Sequence, residues 1–241
     1  MTGPAHTTSL APWLQVQDLG HAWVQSPRWA SGWSTQIHAG LTVITGGDGA
    51  GKTTCLRLLA GECPPSRGTL HLHTPAGLTL AAWPQAHAPT QLPNQTASHS
   101  PSPSVPHSYQ ANVFWCNPAS DTLDRLSAEA YLAHHQAVHP GWNPAVVADL
   151  LQALDLEGHL HKPLWGLSMG MRRKLRLAAA LGSGALLTLL DDPLAALDHG
   201  SCQLVAELMQ DGSQATHRLV VATAFDLETA HHWGASQVWA L

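Results

Sequence analysis

Charge is scarce in this chain: Asp, Glu, Lys and Arg supply 11% of 241 residues, about half the usual share in a soluble domain. Lysine is scarcer still, confined to Lys52, Lys162 and Lys174. With a formal net charge of -5, this excludes a broad basic face, and no nucleic-acid partner is expected. Only Arg172, Arg173, Lys174 and Arg176 form a local basic concentration. Cysteine is sparse and scattered at Cys55, Cys63, Cys116 and Cys202, without C-x-x-C spacing, so free thiols in a reducing compartment are expected. Long apolar runs are missing too. The nearest approach to a membrane span, Leu175 to Leu190, is interrupted by Arg176, Gly182 and Gly184 and reads as a helix followed by a buried strand. The opening Met1-Thr2-Gly3-Pro4-Ala5-His6 carries no basic region leading into an apolar one, so no secretory signal is expected. Histidine, by contrast, is abundant at 17 residues. His134-His135 and His231-His232 are adjacent pairs rather than ligands spaced along one helical face, which suits scattered surface histidines better than a metal centre.

Against that background one segment stands out. The apolar run Leu41-Thr42-Val43-Ile44 leads into Gly46-Gly47-Asp48-Gly49-Ala50-Gly51-Lys52-Thr53-Thr54, a full G-x-x-x-x-G-K-T phosphate loop between strand and helix patterns. Glycines let backbone N–H groups close around phosphate oxygens, and the helix N-terminus near Lys52 adds partial positive charge. Lys52 is placed to reach the outer phosphates of a nucleoside triphosphate and Thr53 to hold Mg2+.

The rest of the chain reads as strands and helices around that loop. Leu14-Gln15-Val16-Gln17 and Ser34 to His38 are expected to pair as an antiparallel edge sheet, and Gly68 to Leu72 with Leu78 to Ala81 as another hairpin. A helix over Lys52 to Ala60 ends at Gly61, before Pro64-Pro65. From about Ala86 to Ala111 the composition turns to Pro, Ser, His, Gln, Asn and Thr, and a disordered insertion over 86–112 is expected. Val113-Phe114-Trp115 resumes order. Capped helices over Ser127 to Val138 and Pro144 to Leu154 make a small helical subdomain, within about 120–165. Helix Met171 to Leu181, strand Ala185 to Leu190, helix Ser201 to Met209 and strand Leu219 to Thr223 complete the pattern. Strands alternating with helices after a phosphate loop imply a parallel α/β core.

A phosphate loop alone leaves kinases, GTPases and many ATPases open. About 140 residues past Lys52, the strand Leu186 to Leu190 ends in Asp191-Asp192-Pro193, followed by Leu194-Ala195-Ala196-Leu197-Asp198; upstream stands Leu167-Ser168-Met169-Gly170-Met171-Arg172-Arg173. With these in place the chain resembles the ATP-binding cassette (ABC) ATPases, whose order is Walker A, LSGGQ signature, Walker B with an adjoining Glu, then a D-loop. The resemblance implies one ABC domain over 1–241: an α/β P-loop NTPase with a RecA-like core, an antiparallel β subdomain and a small α-helical subdomain. The β subdomain and Walker A core occupy about 1–85, and signature, Walker B and C-terminal core 166–241. It also implies that Trp23 stacks on adenine, that Asp191 organises Mg2+, that Ser168 and Gly170 touch the γ-phosphate bound to a second subunit, and that Asp198 crosses that interface.

Several positions depart from the family pattern. Asp192 stands where the family has its catalytic glutamate, and displacement of about an ångström can cost roughly a hundredfold in rate. Aligning Asp226-Leu227-Glu228 puts Phe225 at the switch histidine position, and Met169 and Met171 replace the second glycine and the glutamine of the signature. For the Mg2+-linked glutamine two candidates stay open: Gln85 by local pattern, Asn117 by spacing to the helical segment, with Asn117 favoured.

The resemblance implies an ATPase subunit, slow because of Asp192 and Phe225, that closes with a second ABC subunit, identical or different, and drives a separate transmembrane permease. It would sit peripherally at the cytoplasmic face of a membrane. A degenerate ATP-sensing cassette without turnover and a soluble ABC protein outside transport are the alternatives. The second of these usually carries two cassettes, a coiled coil or basic extensions, none of which is visible in the sequence.

Overall fold

Two sheets of different character organise the protein. The structure is a computed structural model and describes residues 11–21, 32–83, 105–213 and 217–241. Strands β1 (Trp13–Gly20), β2 (Trp33–His38), β4 (Arg67–His73) and β5 (Thr79–Ala81) form an antiparallel sheet in the order β2-β1-β4-β5. Strands β3 (Gly40–Thr45), β6 (Val113–Cys116), β7 (Leu187–Leu190), β8 (Leu219–Ala224) and β9 (Gln237–Ala240) form a parallel one, ordered β6-β7-β8-β3-β9.

Strands β3, β7 and β8 are buried along their whole length, so they carry apolar residues on both faces rather than alternating with polar ones. Alternation survives in where each side chain goes. Leu41, Val43, Val220 and Ala222 join one core, with Phe114 and the helices; Ile44, Leu219 and Val221 join a second, with Leu14, Val16, Leu70 and Leu72 of the antiparallel sheet. The parallel sheet is thus the shared wall between two apolar layers, and its strand ends are fixed from both sides.

Seven α-helices among the described residues cover these layers: α1 (Lys52–Leu59), α2 (His107–Gln110), α3 (Ala128–Val138), α4 (Pro144–Ala153), α5 (Met169–Gly182), α6 (His199–Ser213) and α7 (Leu227–His232). The expected caps are in place. Ser127 Oγ accepts from Ala130 N at 3.1 Å, and Asn143 Oδ1 accepts from Ala145 N and Val146 N at 3.1 and 3.2 Å.

The disordered insertion expected over 86–112 requires correction at its C-terminal end; residues 84–104 lie outside the described residues. Over 105–112 the chain forms α2 and enters β6. Tyr109 is fully buried and its hydroxyl donates to Leu59 O at 2.6 Å, anchoring this polar-looking stretch to the C-terminus of α1. The histidines are not all on the surface either. His135 and His139 stack at 5.8 Å one helical turn apart, both against Phe114, and His139 is 4% exposed. Burial is the main reason His135 is lowered to about 3, with the neighbouring His139 and His134 adding to it. Among the described residues no group of three or more His, Cys, Asp or Glu is arranged to hold a metal, and no helix is long and apolar enough to cross a membrane.

Candidate functional site

The phosphate loop stands at the C-terminal end of β3, where the parallel sheet stops and α1 begins. Gly49 and Gly51 have φ of 77° and 97°, a region that side chains with a Cβ avoid, and this lets the loop wrap tightly before α1. The Lys52 ammonium folds back over the loop and donates to Gly46 O at 2.6 Å and Gly47 O at 3.0 Å. The loop therefore holds its own cation at the mouth of the cradle.

Across the cleft, β7 delivers Asp191 and Asp192. Thr53 Oγ1 donates to Asp191 Oδ2 at 2.7 Å, while Thr223 Oγ1 donates to Asp191 Oδ1 at 2.8 Å. The same Thr223 oxygen accepts from Asp192 N at 2.8 Å. The start of α1 and the C-terminal ends of β7 and β8 are thereby tied into one chain of hydrogen bonds at the floor of the site. From α5, Arg173 Nη1 donates to the main-chain oxygens of Asp191, at 3.0 Å, and Asp192. Asp192 has φ of 45°, the left-handed region that is uncommon for a residue other than glycine.

These groups enclose a cleft of about 490 Å3, lined by the loop from Asp48 to Thr54, by Arg173, Asp191, Asp192 and Thr223, and by Phe225. Phe225 is 69% exposed and lines the cleft, so the residue expected at the switch position does reach its wall. The structure therefore brings Asp48, Gly49, Ala50, Gly51, Lys52, Thr53, Thr54, Asp191 and Asp192 together, with Gly46 and Gly47 behind them as the oxygens that hold Lys52.

Other expected site residues lie elsewhere. Trp23 and Gln85 fall outside the described residues. Asn117 does not line the cleft: its Oδ1 accepts from Ala119 N at 2.9 Å and its Nδ2 donates to Glu62 Oε1 at 3.2 Å, so its oxygen is used to close a turn. The amide expected to be metal-linked is thus engaged with Glu62 and the turn in this conformation. Ser168 caps α5, accepting from Met171 N at 3.2 Å, and stands outside the cleft of its own chain with Gly170. A side chain at Gly170 would meet Ala196 O at 2.7 Å, so glycine there serves the packing of α5 against the D-loop segment. Asp198 is held well below the usual carboxylate range, chiefly by the Lys174 ammonium at 2.7 Å and then by Ser201.

The basic concentration of Arg172, Arg173, Lys174 and Arg176 turns out to be internally engaged rather than an open patch. Arg172 pairs with Asp124 at 2.9 Å. Arg176, 8% exposed, donates to the main-chain oxygens of Asn117, Pro118 and Ser120 and to Asp124. Sequence reasoning missed Arg173 and Thr223 at the site. The apolar strand Leu219 to Ala224 did carry a signal, since Thr223 is a buried hydroxyl at its C-terminal end, level with the phosphate loop.

Comparison with known proteins agrees with this geometry. Residues 31–195 match the family described as ABC transporter. The taurine import ATP-binding protein TauB of Pseudomonas entomophila is 27% identical over 190 residues, spanning 79% of this chain and 63% of that protein. The cytochrome c biogenesis ATP-binding export protein CcmA of Pseudomonas putida is 32% identical over 166 residues, 68% of this chain and 67% of its own length. The chain thus spans a little under two thirds of the taurine protein it matches. Among solved structures, the ATP binding subunit of an ABC transporter superposes with a TM-score of 0.70 at 19% identity, covering 95% of this chain and 85% of that one. A dimeric ATP-binding cassette in a post-hydrolysis state, bound to ADP and Pi, gives 0.67 at 15% identity, covering 95% and 94%. At these identities the structural likeness concerns the fold.

Proposed function

The chain belongs to the ABC transporter family, and from that premise we propose that it is an ATP-binding, slowly hydrolysing subunit whose closure with a second cassette drives a separate transmembrane permease. The observation that carries the reading is the hydrogen bond from Thr53 to Asp191 across a cleft lined by the phosphate loop. It sets two hard oxygen donors side by side where the outer phosphates of ATP would lie. Such donors suit Mg2+, and Thr53 and Asp191 are the residues that would hold it. When bound, that ion would offset charge on the phosphate oxygens.

Lys52 exchanges the oxygens of Gly46 and Gly47 for phosphate oxygens as nucleotide enters, and the loop amides take up the remaining charge. Asp192 orients a water for in-line attack: its oxygen bonds to the γ-phosphorus, the bond to the bridging oxygen breaks toward ADP, and the water proton passes to the carboxylate. Ser168 and Gly170 act on the nucleotide of the opposing cassette, and Asp198 stands at the same interface. Trp23 stacks on adenine. The relatives named for import and for export both support an engine that is separable from its cargo; its proposed place is the cytoplasmic face of a membrane.

Titration calorimetry with Mg-ATP, on the protein and on Lys52→Ala, tests the reading: uptake that Lys52→Ala abolishes supports it, and no uptake by folded protein removes it. A sensor without turnover is the second reading, favoured by Asp192 and Phe225 standing in the cleft. Phosphate release by the unaltered protein in complex with its membrane partner would rule that one out.

A further inference from the structure

Two cations line the nucleotide cleft, Lys52 and Arg173. Lys52 belongs to the phosphate loop. Arg173 comes from α5, outside the phosphate loop, and also lines a neighbouring cavity of about 360 Å3 bounded by Cys116 and Met169. It therefore stands in the wall between the cleft and the start of α5. Its Nη1 donates to both carbonyl oxygens of the Asp191-Asp192 pair, while Thr223 takes the Asp192 N–H. Both polar groups of the Asp192 main chain are thus fixed, in a left-handed conformation that a side chain with a Cβ does not adopt freely.

We propose that Arg173 is a positioning residue: by gripping the Asp192 carbonyl it sets the direction in which that short carboxylate leaves the backbone, and so where it meets the attacking water. This rests on the ATPase reading above. The physical need is specific to this chain. Aspartate has one rotatable bond fewer than glutamate with which to search for the water, so its aim depends on the main chain that carries it. The Phe225 side chain offers no hydrogen bond from the other side of the cleft, so the geometry rests on the main-chain contacts, in which Arg173 shares the Asp192 carbonyl with Ala195 N at 3.1 Å.

The test is a four-member cycle of the unaltered protein, Arg173→Met, Asp192→Glu and the double variant, in complex with the membrane partner. Turnover of Mg-ATP gives kcat and KM, calorimetry gives nucleotide affinity, and a melting curve checks folding. Arg173→Met is expected to lower kcat by about tenfold or more with ATP affinity held within about threefold, and Arg173→Lys to recover most of the loss. In the Asp192→Glu background the same substitution is expected to cost less than about threefold, because the longer side chain can re-aim itself. A structural role alone would lower both backgrounds equally, and that result, or a fall in affinity at unchanged kcat, overturns the proposal. Should Arg173→Met not fold, Arg173→Gln takes its place in the cycle, with Arg173→Lys still the recovery variant. If ATP binds yet neither the unaltered protein nor Asp192→Glu releases phosphate, the ATPase reading falls and the role of Arg173 with it; turnover with equal losses removes Arg173 alone.

Discussion

Asp192 and Phe225 face the same cleft with side chains that are poor substitutes for a longer carboxylate and an imidazole. Asp192→Glu is therefore expected to raise kcat by about ten- to a hundredfold, the scale on which an ångström of misplacement acts; steady-state phosphate release measures it. Phe225→His in that background should add a further gain, since it restores a group able to hydrogen-bond. Lys52→Ala should weaken Mg-ATP binding by about a hundredfold or more in calorimetry, because no other cation of the loop replaces it. Of these residues Lys52 and Thr53 were legible from the phosphate-loop motif, for the chemistry of a triphosphate leaves few alternatives there, and Asp191 through the family resemblance. Arg173 and Thr223 were not. Arg173 bonds main-chain oxygens and Thr223 a main-chain N–H besides the Asp191 carboxylate, and a hydrogen bond to the main chain leaves no type-specific mark on the sequence of its partner.

At the scale of elements, caps and apolar periodicity located the long helices well, since Ser127, Asn143 and Ser168 each accept a main-chain N–H where the pattern placed a helix start. The failure at 105–112 has a physical reason. Composition signals disorder when too little apolar area is available, but here a single aromatic ring, Tyr109, supplies the anchor. Tyr109→Phe removes its donor to Leu59 O and is expected to lower stability by about 1–2 kcal/mol, read from denaturant midpoints. Strand β9 and helix α7 were also missed, being short segments with little periodicity. The His135-His139 pair makes a second prediction. A histidine whose folded value is lowered binds fewer protons native than unfolded, so its contribution is complete above the ordinary 6.5 and declines as pH falls toward about 3. Between pH 7 and 5 this amounts to at most about 2 kcal/mol, and His135→Phe should remove that share of the pH slope in urea titrations.

On the scale of the whole molecule, low charge and an engaged set of arginines leave little long-range attraction, so the proposed assembly is expected to depend on nucleotide. Light scattering with Mg-ATP is expected to show Asp192→Asn doubling in mass, alone or with a second cassette, and Lys52→Ala failing to do so. The buried grip of Arg176 on the segment after β6 bears on how such an assembly moves. Because one guanidinium satisfies three carbonyls there, prising that segment from α5 would strand a desolvated cation among unpaired oxygens. The segment 117–120 and α5 are therefore expected to move as one unit, with any flexure displaced to the joints on either side.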